Sequence, residues 1–110
     1  MLKATITNIE NKIMQNTSIQ DKEKTELLQL LSSLKDEVSE LSKTDKEHAE
    51  SITGFAQTSA HEATRKDKNE DLLDLSLKGL TSSVNELESS HPKLVEIVNR
   101  ISNILSNMGI

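Results

Sequence analysis

Apolar residues recur along this chain at alternating steps of three and four, the spacing that gathers them on one face of a helix. The widest such stripe closes the chain. From Pro92 to Ile110 it holds Leu94, Val95, Ile97, Val98, Ile101, Ile104, Leu105 and Met108, while Glu96, Asn99, Arg100, Asn103 and Asn107 take the opposite side. At roughly 100° per residue the apolar set covers about half the circumference. A stripe that wide exceeds the seam of a two-stranded coiled coil and asks for two or more partners. The pattern therefore predicts a helix over 92–108 around which the others pack, opened by Pro92. Gly109 stands where a left-handed cap residue is wanted, with Ile110 free to fold back on the last turn.

Four further stripes precede it. Leu2, Ile6, Ile9 and Ile13 predict a helix over 2–15, close to the length at which an isolated helix is marginal in water. Leu27, Leu31, Leu34, Val38 and Leu41 form a heptad seam, widened by Leu28 and Leu30, and predict a helix over 19–42. Ser18 is its expected N-cap, with Asp21 three residues on. Continuing that phase would set Asp45 and His48 on the seam, and Thr44-Asp45-Lys46-Glu47 reads as a capping box. A break near Lys43 and a new helix over 45–66 follow. Its face is made of Ala49, Ile52, Ala56, Ala60 and Ala63, with Phe55 beside it. Such small residues imply close approach by a neighbour or weak burial, and Gly54 costs about 1 kcal/mol relative to Ala. Leu73, Leu77, Leu80, Val84 and Leu87 predict a helix over 70–89, with Leu72 and Leu75 as a second apolar edge. Its start reads as Asp67 with Glu70, or as Asn69 with Glu70 and Asp71. The phase also runs from Ala56 and Ala63 into Leu73 and Leu77, so one helix from Asp45 to Ser89 fits the same residues.

Composition narrows the class. The 110 residues are 34% hydrophobic with Phe55 as sole aromatic, so the core must be aliphatic. Three Gly and one Pro leave turns and sheets without their usual punctuation. The length suits one domain, 1–110. A net charge of −5 argues against a nucleic-acid partner, which needs a basic face, and gives no attraction to an anionic bilayer. Cys is absent, so there is neither a disulfide framework nor a thiolate. No signal peptide and no membrane span is expected, which makes a cytoplasmic location the default.

Chemistry is sparse. Asp45-Lys46-Glu47-His48 and Glu88-Ser89-Ser90-His91 each place a carboxylate three residues before a histidine, as di-metal bundles do, but those need four inward-facing carboxylate helices. His61-Glu62-Ala63-Thr64-Arg65 begins like a zinc-protease motif and fails it, because Arg65 stands where the second histidine belongs. Glu62 and Arg65 suit an i,i+3 ion pair. Phosphate loops, nucleophile elbows and a Ser/His/acid set are missing. No enzyme and no cofactor is expected. The best candidate for a partner-binding surface is Phe55, His61, Glu62 and Arg65, which joins the aromatic to an arginine. The same ring could instead fill a gap in the core.

The run Glu88-Ser89-Ser90-His91-Pro92-Lys93-Leu94-Val95 and the tail Ile104-Leu105-Ser106-Asn107-Met108-Gly109-Ile110 resemble a family of short bacterial helical proteins, the domain of unknown function numbered 4404. The resemblance is specific over Leu87–Ile110 and looser over Leu27–Leu41. It implies a small all-helical bacterial protein and brings no catalytic residue or ligand.

The expected molecule is an all-α antiparallel bundle of four to five helices with coiled-coil-like heptad packing. Low hydrophobic content and mostly narrow stripes point to a core completed by a second copy, a homodimer. The expected function is a protein–protein interaction or structural module. The alternatives are a metal-binding bundle using His48, His61 or His91, and a peripheral membrane protein.

Overall fold

A computed structural model describes residues 2–108. Among them lie five α-helices and no strand: α1 (Leu2–Gln15), α2 (Asp21–Leu41), α3 (Lys46–Thr64), α4 (Glu70–Val84), which tightens into a 3-10 turn over Asn85–Leu87, and α5 (Pro92–Met108). The chain is all-α. The expected cap formed by Gly109 and Ile110 lies outside the described residues.

The helix breaks follow from local hydrogen bonding. α2 and α3 are separate, and the continuous helix from Asp45 to Ser89 is not formed. At the first corner Thr44 Oγ1 donates to the Leu41 carbonyl, closing α2. Asp45, not Thr44, caps α3 by accepting from the His48 amide at 3.1 Å. The box is thus displaced by one residue, because a carboxylate satisfies the first-turn donors and favours the dipole more strongly than a hydroxyl. Asn69 caps α4 by accepting from the Leu72 amide, the second of the two expected starts. The Ser18 cap is not formed: Ser18 turns its amide and hydroxyl to Asn16 Oδ1, and α2 begins at Asp21 after Gln20. Pro92 opens α5 as expected.

Consecutive helices run in opposite directions. Glu10 of α1 meets Lys35 of α2 at 2.7 Å, while Met14 meets Lys24. His48 at the start of α3 reaches Ser83 at the end of α4. The last turn of α5 lies beside the start of α2 and beside Lys68, just before α4. Hence α1, α3 and α5 point one way, and α2 and α4 the other. The α1–α3 and α3–α5 contacts are parallel, so the expected all-antiparallel arrangement on α5 holds for α2 and α4 only.

The core forms where α1, α2, α3 and α5 face one another. Ile9 and Ile13 line a small void at its centre together with Leu27, Leu31, Ile101 and Leu105. Ala56 and Ala60 close the fourth side from α3. Across α3 and α5, α4 buries Leu73, Leu80 and Val84. The seam of α2 is buried throughout, from Leu27 to Leu41. α5 buries six of its apolar residues, with Val95 and Met108 partly covered.

The hub, however, is α3. It packs against all four other helices, whereas α5 touches α2, α3 and α4. The expectation that the greasiest helix is central is corrected here, for a steric reason. Ala49, Ala56, Ala60 and Ala63 are at most 2% exposed. Side chains that short let neighbouring backbones approach from several sides, so of the two meanings of that small-residue face the structure shows close approach. The radius of gyration, 12.9 Å, matches the about 13 Å of a compact chain of this size. The aliphatic core closes within one chain, so core completion does not require a second copy.

Candidate functional site

One open groove stands out between the first half of α3 and the second half of α4. It encloses about 560 Å³. Its floor is the ring of Phe55 lying on Gly79, and its walls include Ser51, Ser82 and Ser83. Asp45, Glu47 and Glu86 supply carboxylates around it, and His48 is the only basic side chain on its lining.

Gly79 explains the floor. It sits inside α4, where glycine costs about 1 kcal/mol against alanine. A Cβ at this position would stand 2.3 Å from the Phe55 ring. The bare backbone therefore seats the aromatic, which is still 41% exposed. Phe55 does not fill a core gap. The core side of α3 is taken by Ala49, Ile52, Ala56, Ala60 and Ala63, all buried. His48, half-buried, spans the groove from the other side, with Nε2 donating to the Ser83 carbonyl. Its Nδ1 lies 3.7 Å from Asp45 Oδ2. Among the described residues, Glu47 and Glu86 have no ion-pair partner.

Two exposed leucines lie further along α4, outside the groove lining. Leu72, Leu75 and Gly79 fall within about 60° of one another at 100° per residue. Leu72 is 41% and Leu75 66% exposed. The second apolar edge thus faces outward, on the same side of α4 as Gly79.

The four residues singled out from sequence do not converge. Glu62 is buried and accepts from Arg65 Nη1 at 2.8 Å, and His61 Nε2 approaches its other oxygen at 4.0 Å. His61 also meets Lys12 of α1 through Nδ1. His61, Glu62 and Arg65 therefore form one cluster at the C-terminal end of α3. Phe55 lies two turns away, engaged with α4. Sequence reasoning missed Gly79 and the carboxylates around it. The signal available was the glycine itself, a residue that costs stability inside a helix, but Gly54 gives the same signal with nothing near it.

Nothing in this geometry assembles a metal centre. Among the described residues no three His, Asp or Glu side chains converge on a common point. His48, His61 and His91 lie apart, engaged respectively with Ser83, with Lys12 and with Ser90. No helix among the described residues is long and apolar enough to cross a membrane.

Residues 27–110 match a family model described as a Domain of unknown function (DUF4404). The chain belongs to this family. The match takes in α2 from Leu27 onward and all of α3, α4 and the described part of α5, and with them the whole groove, while α1 lies ahead of it. It includes both stretches that carried the resemblance in the sequence. Comparison of this DUF4404 chain with curated proteins and with solved structures finds no match.

Proposed function

We propose that the chain is a non-catalytic interaction module that presents the α3–α4 face to another protein. One observation carries this reading. Phe55, Leu72 and Leu75 are all exposed, and the two leucines share the side of α4 that carries Gly79, the glycine on which the ring rests. Exposed apolar neighbours rimmed by polar residues mark interaction surfaces. The absence of Cys from the sequence and of any Ser/His/acid set supports a binding role over catalysis. A cytoplasmic setting is part of the same proposal.

The test is a photo-crosslinking amino acid at Leu75 in the native cell, with Asn99 on the outer face of α5 as comparison. A discrete adduct from position 75, absent from position 99 and lost with Leu72→Glu, is expected. Equal yields from both positions, or none from either, would reject the reading.

A homodimer is the second reading, favoured by the exposure of Leu72 and Leu75. Light scattering on a sizing column tests it, through a mass of twice 12.2 kDa. Membrane attachment through the same face has the acidic rim against it, since that rim repels anionic lipid.

A further inference from the structure

We infer that the α3–α4 groove receives an arginine side chain of a partner protein, its guanidinium stacked on Phe55 and paired with Glu47 and Glu86. The inference rests on the interaction-module reading and adds the chemistry of the partner.

Two features select this occupant. The floor is an aromatic ring, 41% exposed, whose Cδ1–Cε1 side rests against the Gly79 backbone. Carboxylates line the same groove at its His48–Ser83 end, about two helical turns from the ring, and Glu47 and Glu86 there are exposed without a Lys or Arg on the lining to neutralise them. A flat cation that can stack on a ring while donating to two carboxylates answers both demands. Guanidinium is planar and presents its donors as a fork, whereas an ammonium is a compact and strongly hydrated point charge. Asp45 is already committed to the α3 cap and to His48, so it contributes field more than contact.

The same charge argues against a second copy on this face. A two-fold dimer sets each patch against itself. The acidic groove of one chain would then face the acidic groove of the other, on chains that each carry −5. α4 adds Glu70, Asp71 and Asp74 against the single Lys78. A basic segment of a different protein meets no such repulsion.

The test titrates the ¹⁵N-labelled full chain with N-acetyl-arginine amide, read by amide chemical shifts. Saturable shifts at Glu47, His48, Phe55, Gly79 and Ser83 are expected. N-acetyl-citrulline amide, of the same shape without the charge, produces none. N-acetyl-lysine amide binds at least threefold more weakly. Phe55→Ala and the exposed double variant Glu47→Gln/Glu86→Gln each weaken arginine binding at least fivefold, while Asp36→Asn on α2 leaves it unchanged. The double variant retains the aromatic packing, so it decides the matter even where Phe55→Ala disturbs the fold. Shifts scattered over the acidic surface, equal shifts with citrulline, or indifference to the double variant overturn the inference. A crosslink at Leu75 together with a failed titration removes the arginine and leaves the module. A homodimeric mass that Glu86→Lys abolishes assigns the groove to a second copy and overturns the choice of partner.

Discussion

Thr44 and Asp45 stand side by side at one corner and serve different helices. The hydroxyl closes α2 and the carboxylate opens α3. Asp45→Ala is therefore expected to cost about 1 kcal/mol, the usual worth of an N-cap, and Thr44→Ala less. Urea denaturation checks the order. The glycines separate in the same way. Gly54 has nothing within 4 Å of where a Cβ would stand, so Gly54→Ala should stabilise by about 0.5–1 kcal/mol. Gly79→Ala gains the same propensity but drives into Phe55, so its gain should be smaller. A double-mutant cycle restores the difference in the Phe55→Ala background. The sequence shows both glycines, and helical periodicity treats them alike. Only what lies over each one tells them apart: open space at Gly54, and at Gly79 a ring from 24 residues away in the chain.

At the scale of the element, periodicity reveals the apolar face of each helix, because burial is decided by which side of the cylinder a residue occupies. The five helices and most of their buried positions are legible for that reason. The boundaries at Lys43 and Pro92 are legible through local backbone chemistry. Centrality is not. It depends on how closely neighbours can approach, and a row of alanines looks weak in a pattern that scores hydrophobicity. Ala60→Leu tests the close packing of α3. The added bulk is expected to cost about 1–3 kcal/mol through overpacking. Leu75→Ala, on the outward edge of α4, should stay within about 0.5 kcal/mol. Thermal unfolding of the two variants makes the comparison. The candidate site was half legible for a related reason. Phe55 could be named as the sole aromatic, but the cluster expected around it assumed that residues near in sequence share a surface. His61 and Arg65 turn about 100° away from it around α3, toward other neighbours.

For the whole molecule, one aliphatic cluster draws on every helix. Amides in α3 and in the middle of α5 are expected to exchange hydrogen only through global unfolding, with those of α1 exchanging sooner. α1 leans on α2 and α3 alone, whereas α3 has four neighbours. Mass spectrometry of the exchanged peptides measures the order.

An odd number of reversing helices also sends Leu2 and Met108 to opposite poles of a body 37 Å long. A tether pulling on both ends would load the helix–helix contacts lengthwise and together, as glued planks resist sliding. It could not peel the helices away one at a time.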